Sequence, residues 1–591
     1  MSEDLLRIGN CSGFYGDKLS AAKEMVDAGP VDVLTGDYLA ELTMAILYSQ
    51  KIQKGPKTGY VGTFLKQLAD VADTCSKKNI KIVTNAGGLN PYSMTEETLK
   101  ILETLGLELN VAYITGDDLL PQIDELTKKG EKFINLDTGR KFINQDSTLL
   151  SANAYLGCWG IKKALDEGAD IVICPRVTDA ALVMGPAAWK YNWSPHDYDK
   201  LAGALAAGHI IECGAQATGG NYSFFKEVPT FRNIGYPIAE IKEDGSFYIT
   251  KHKNTGGLVS KGTVTAQLLY EISSPKYLNP DVSAHFDSLA IEDVEENRVY
   301  VTNHKGSPPP ETLKVCMNLA GGFKNTMELI VTGLDIEEKA ETFIEELFYS
   351  LGGKEKYDEV SVQLLRTDKL NATTNEEAMA TLKISVKSKD QTLTGRIFSA
   401  KVVELGLANY PGWTVQSDIN AGNPFIDYWP STIQRNLVKE IVHINEREIE
   451  IEHNDYEPET NHQPHQDQIE KINGDMDEIA LGRIYGTRSG DKGGCANVGV
   501  WAKDHESYKH LFHYLTVEKL KELLPDMSDY KIDRYELPNI LSLNFVIRGL
   551  LGNGVSSNDR KDGQAKSLGE YLGSKIIECP KTIIDSHYEI R

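Results

Sequence analysis

The stretch Asp170-Ile-Val-Ile-Cys174-Pro-Arg176-Val-Thr178-Asp179 decides how the chain reads. A short apolar run breaks at a proline, and the polar groups Arg176, Thr178 and Asp179 follow at once. A small-residue helix then carries the chain to Gly208-His209-Ile-Ile-Glu212-Cys213-Gly214 and on to Ala217-Thr218-Gly-Gly-Asn221. A buried strand that empties into polar residues, followed by a glycine-rich turn, is how open parallel sheets present a site at their carboxyl edge.

Working outward, residues 5–190 repeat the same alternation of short apolar strands and amphipathic helices. Leu6-Arg-Ile-Gly9 leads into Asn10–Asp17, Val31–Leu34 into Thr35-Gly-Asp37, Ile80–Val83 into Thr84–Pro91, and Leu109–Ile114 into Thr115–Asp118. Strands alternating with helices of this length imply parallel pairing through right-handed crossovers. The expectation is an α/β fold with a mostly parallel, doubly wound sheet over 1–234; a closed barrel is the second choice. From Gly235 the texture changes. Strands Ile238–Ile241 and Phe247–Thr250 flank the hairpin signal Glu243-Asp-Gly245, and 235–451 reads as an α+β second layer. Residues 452–478 are His- and Asn-rich and nearly free of apolar residues, which marks a linker. A small α+β domain follows over 479–591, with Gly486–Asn497 as a polar glycine turn.

At 591 residues the chain exceeds what one core supports. A formal charge of -23 argues against nucleic acid and anionic membrane surfaces as partners, because phosphate binding needs clustered cations. The eight cysteines are scattered without CxxC spacing, as expected in a reducing compartment. With no targeting peptide or apolar span read, a cytoplasmic homo-oligomer is expected.

The candidate site residues come from the turns. Gly9–Asp17, with Ser12, and Asn85-Ala-Gly-Gly-Leu-Asn90 let backbone amides approach an anion at a helix start, or serve as tight turns only. Neither has dinucleotide GxGxxG spacing. Arg176 offers a fork for a carboxylate or phosphate; Asp179 serves as a proton carrier or a helix cap. His209 and Glu212, three apart, read as a base with its orienting carboxylate, as two metal ligands, or as a structural pair. No spacing singles out a metal, and no cofactor is assigned. Thr218 and Asn221 sit in the following turn. In the C-terminal domain Arg488, Ser489, Asp491, Lys492 and Asn497 surround glycines in an anion cradle without the phosphate-loop pattern.

Taken together, Gly9–Asp17, Asn85–Pro91, Pro175–Asp179, Gly208–Asn221, Arg488-Ser-Gly-Asp-Lys-Gly493, Ala496–Val500, Leu551–Ser556 and Gly563–Glu570 resemble the acyclic terpene utilisation protein A family. The likeness covers nearly the whole chain apart from the linker. It implies a large N-terminal domain, a C-terminal ferredoxin-like domain, and a place in the breakdown of terpenes such as citronellol and geraniol, whose acids are processed as coenzyme A thioesters. The expected activity is a lyase or hydro-lyase acting on a small acid or acyl-CoA. The alternative is a non-catalytic ligand-binding or assembly subunit. A nicotinamide oxidoreductase is a weaker third reading.

Overall fold

Five short strands form the middle of the molecule in the computed structural model, which describes residues 4–143, 148–452, 456, 469–472 and 474–589. They are β1 (Leu6–Asn10), β2 (Val33–Gly36), β3 (Lys81–Thr84), β4 (Val111–Thr115) and, after β5 (Leu149–Ala154) in another sheet, β6 (Ile171–Ile173). Side by side they run β1-β2-β3-β6-β4, all parallel. All five carboxyl ends therefore lie along one edge, carrying Asn10, Asp37, Asn85, Asp117 and Arg176.

The alternation within each strand explains why helices cover both faces. Leu34, Ile82, Ile171 and Ile173 point into one core, with α1 (Ala21–Ala28), α3 (Gly62–Lys78) and α4 (Pro91–Leu105); α2 (Glu41–Lys54) follows β2 directly. Val33, Val83 and Val172 point into the other, built with α6 (Trp159–Asp166), α7 (Ala181–Lys190) and α8 (Tyr198–Ile211); α5 (Ile123–Lys128) precedes these. A side-chain period of two on a sheet buried on both faces requires apolar residues at nearly every position.

The sheet is parallel only in this middle. The expected second layer instead extends it: β7 (Pro237–Ile241) pairs antiparallel with β1, β8 (Phe247–Lys251) with β7, and the strands at 290–302 continue outward. On the other side, Ile441–Ile444 and Arg447–Glu450 add two more antiparallel strands. The whole is an eleven-stranded mixed sheet. Hairpins reach a neighbouring edge with a two-residue turn, so short-range connection favours antiparallel additions once the crossover helices end.

A second sheet stands on the long strand Thr312–Thr332, which pairs with β5, Asn423–Gln434 and Met379–Ser388. The strand runs unbroken through Gly321-Gly322, because the pair is absorbed as a bulge in the pairing with 423–434.

The C-terminal domain holds a four-stranded antiparallel sheet with Gly486–Lys492 and Cys495–Trp501 as its first hairpin. The polar run expected as a turn is thus mostly strand; only Gly493-Gly494 turns, with Gly493 at φ +61, in the region glycine adopts freely. The domain's first strand is Met476–Ala480, paired with Ile576–Pro580. Most of 452–478, with His453, His462 and His465, lies outside the described residues. Among the described residues no helix is long and apolar enough to cross a membrane.

Candidate functional site

The site forms where the carboxyl edge of the parallel strands meets the C-terminal end of α8, the long-strand sheet and the tip of the C-terminal hairpin. Asp37 follows β2. Its Oδ1 accepts from Asn85 Nδ2 at 2.6 Å and from the Leu39 amide at 3.3 Å. Asn85 also takes the Tyr38 amide at 2.9 Å, so its side chain holds the turn and the carboxylate together. Asn10, at the end of β1, donates to the carbonyls of Ile211 and Glu212 at 2.6 and 3.0 Å and pins the end of α8. Carbonyls at a helix's C-terminal end have no helical partner, so a buried helix end requires such a donor. Arg176 is 2% exposed. It donates to Leu39 O at 2.8 Å, pairs with Asp179 Oδ1 at 3.0 Å and stacks on the Tyr155 ring at 4.1 Å.

The carboxylate oxygens of Asp37, Asp179 and Glu212 all come within 4.8 Å of one another. His209 Nδ1 lies 3.2 Å from Glu212 Oε1 without the alignment of a hydrogen bond, and neither ring nitrogen has a hydrogen-bond partner. Tyr277 and Phe286 flank this ring at 5.1 and 5.5 Å. Across the site, Glu41 Oε1 accepts from Tyr155 Oη at 3.0 Å and Lys314 Nζ at 3.1 Å. The C-terminal hairpin delivers Lys492, whose Nζ sits 5.6 Å from the Tyr277 ring. It also delivers Asp491, 3.4 Å from Lys566, which pairs at 3.0 Å with Glu271.

These groups lie deep among packed elements yet keep accessible surface. The side chains of Glu41, Asp179, Glu271 and Lys314 are 30, 30, 31 and 33% exposed, so they line an internal chamber.

Its electrostatics follow from burial and crowding. Burial, then Asp179 and Glu212, push the Asp37 carboxyl well above its ordinary range; burial, then Asp179 and Glu271, do the same to Glu212. Burial brings Glu271 up to about 7 against the pull of Lys492. Burial, reinforced by Lys492, lowers His209 to about 4, which keeps the imidazole neutral at pH 7. Burial and Lys314 lower Lys492. Burial opposes the charge on Glu41, but Lys314 and Arg176 prevail and hold that carboxyl below its usual range. Burial pushes the Cys213 thiol well up, away from the thiolate a nucleophile needs.

Of the residues expected from sequence, the structure brings Arg176, Asp179, His209, Glu212, Asp491 and Lys492 to the chamber, with Asn85 directly behind Asp37. The others have local partners. Ser12 donates to Phe14 O at 3.1 Å and its carbonyl takes the Asp37 amide at 3.0 Å. The Thr218 hydroxyl lies 2.5 Å from Gly235 O. Arg488 stacks on Tyr270 at 4.2 Å, donates to Asn221 O at 3.4 Å and bonds Gln216. Ser489 donates to Ala565 O at 2.7 Å, and Asn497 bonds Leu269 O at 2.6 Å and the Glu271 amide at 2.9 Å.

Asp37, Glu41, Tyr155, Glu271, Tyr277 and Lys314 were not singled out. Asp37 carried a signal, as the acid that ends β2 at the same edge as Arg176. Glu41 opens α2 four residues further on, at the same edge, while Tyr155, Glu271, Tyr277 and Lys314 carry no local signal because they arrive from other sheets and connections.

Residues 6–444 match the acyclic terpene utilisation family protein AtuA, and residues 479–578 match the AtuA ferredoxin-like domain. The chain belongs to the AtuA family. Membership ties it to acyclic terpene utilisation. No curated protein matches it. The two AtuA matches fall on either side of the poorly apolar 452–478 segment, and the chamber draws residues from both.

Proposed function

We propose that the chain is a catabolic enzyme of acyclic terpene utilisation, a lyase or hydro-lyase acting on a small acid or its coenzyme A thioester. We also read it as two units, 1–451 and 479–591, that work as one site. The observation that carries the reading is the convergence of the Arg176, Lys314 and Lys492 cations with the neutral imidazole of His209 in one internal chamber. Arg176, Lys314 and Lys492 suit the carboxylate or thioester oxygen of an anionic substrate. His209, neutral and backed by Glu212, takes a proton from carbon next to that group; elimination then expels the leaving group. The chamber shields the charged intermediate from bulk water.

The test starts with binding. A branched acyl thioester or free terpene acid at 100 times its dissociation constant adds about 2.7 kcal/mol to the folded state, visible as a melting shift. Turnover of that ligand is expected to fall about a hundredfold or more in His209→Ala, with the melting shift retained. If a tight ligand is returned chemically unchanged by the native chain, the enzyme reading fails and the binding-subunit reading replaces it.

A further inference from the structure

The geometry points to a divalent-cation site on Asp37, Asp179 and Glu212, for a hard, oxygen-loving ion such as Mg2+ or Mn2+. This goes beyond the assignment of an acid substrate and does not depend on which reaction the chamber supports.

The three carboxylates come from three separate elements: the end of β2, the turn after β6 and the end of α8. They are set independently of one another. Asp37 is held by Asn85 at 2.6 Å, Asp179 by Arg176 at 3.0 Å, and the Glu212 backbone by Asn10 at 3.0 Å. Their ligand oxygens span no more than 4.8 Å. Metal–oxygen distances run from about 2.0 Å for Mg2+ to about 2.6 Å for Ca2+. Two oxygens on opposite sides of one such ion are therefore about 4–5 Å apart, so an ion fits among these three with little movement. An all-carboxylate set selects hard cations over zinc or copper.

A second observation is independent of the acids. His209 is 2% exposed and aimed at Glu212, yet neither of its nitrogens has a hydrogen-bond partner. A buried imidazole without aligned hydrogen bonds is unfavourable, which leaves room for a further partner beside Glu212. Water on a cation held by Glu212 would fill it. The neighbouring charges leave room for one more cation: Arg176 contacts Asp179 alone among the three, Lys492 faces them from the C-terminal hairpin over Tyr277, and Glu271 adds a further acid. Three protein oxygens leave the remaining positions of a six-coordinate ion for water and for a substrate oxygen.

The experiment is a Mn2+ titration of the chelator-stripped full chain, followed by the electron paramagnetic resonance of free Mn2+. One site per chain is expected. Asp37→Asn, Asp179→Asn and Glu212→Gln should each weaken it at least tenfold, while the exposed surface variant Asp73→Asn should not. Metal-free, Asp37→Asn and Glu212→Gln are expected to melt no lower than the native chain, because each removes one of three crowded carboxylates, whereas Asp179→Asn also takes the charge partner from buried Arg176 and is expected to melt lower. Mn2+ should raise the melting temperature of the native chain and of Asp73→Asn, and not of the three site variants. Absence of binding below millimolar Mn2+, or binding indifferent to all three substitutions, overturns the proposal. Should a variant not fold, anomalous scattering from a Mn2+-soaked crystal of the native chain decides: a peak among these three acids supports the site, and a peak elsewhere or none overturns it.

Discussion

Asn85 shows how much of this protein rests on single buried amides. It binds the Tyr38 amide with its oxygen and Asp37 with its nitrogen, so one side chain holds both the turn and the acid that ends β2. Glu440 is a different case, away from the chamber. It takes the Gly160 amide at 3.1 Å, and burial with Asp281 nearby pushes its carboxyl up to about 8. The folded chain then binds a proton there that the unfolded chain has released above its ordinary value near 4.5. The stability this contributes is fully present below pH 4.5 and is lost as pH rises through 8. Glu440→Gln, which cannot ionise, should flatten the fall in unfolding free energy between pH 5 and 8, measured by denaturant titration, by up to about 1.4 kcal/mol per pH unit. An unchanged slope would mean the Glu440 carboxyl titrates normally.

At the scale of elements, the C-terminal hairpin is the part that completes the chamber. Gly490 lies in its first strand, against Tyr270 and Glu271: a Cβ there would sit 2.6 Å from the Tyr270 ring and 3.2 Å from Glu271 Cγ. Its backbone does not need glycine's freedom, so contact alone excludes a side chain. Gly490→Ala should therefore lift the hairpin from Tyr270, costing about 1–3 kcal/mol as overpacked sites do. The larger effect is expected on ligand affinity, since Lys492 rides two residues further along the same strand. Equilibrium unfolding and the ligand-induced melting shift, measured on the same variant, separate the two effects.

Across the whole molecule, the C-terminal domain is docked by side-chain amides as well as by ion pairs such as Lys566–Glu271 at 3.0 Å and Lys387–Asp559 at 3.3 Å. Asn544 donates to the carbonyls of Ile272 and Ser273 at 3.2 and 2.8 Å, and Asn539 to those of Phe286 and Leu289, both at 2.8 Å. Asn544→Ala leaves two carbonyls at the junction unpaired and should cost about 1–3 kcal/mol in urea unfolding. Because Glu271 and Lys492 reach the chamber from opposite sides of that junction, the same variant should also bind the substrate-class ligand more weakly. Full affinity with lowered stability would show that the junction holds the fold and leaves the site alone.

The sequence by itself determined the local elements. Runs such as Asp170–Cys174 and Ile80–Val83 bury both sides and admit only a strand covered by helices on each face; Pro175 ends one such run, and Gly–Asn–Asp turns end the others. It also singled out Arg176, Asp179, His209 and Glu212, because polar residues just past a buried strand or inside an apolar helix end need a reason to be there. The tertiary structure alone decided the rest. Nothing in the Thr35-Gly-Asp37 turn says which acid it will face, and nothing near Lys314 or Glu271 says they will share a chamber with Lys492. That the Arg488–Lys492 run is a strand and not a loop also depends on its partner at 495–501, since a β-strand is completed by hydrogen bonds from elsewhere in the chain. Helices and turns close their bonds locally and can be read locally; sheet partners and the site between them are set only when distant segments meet.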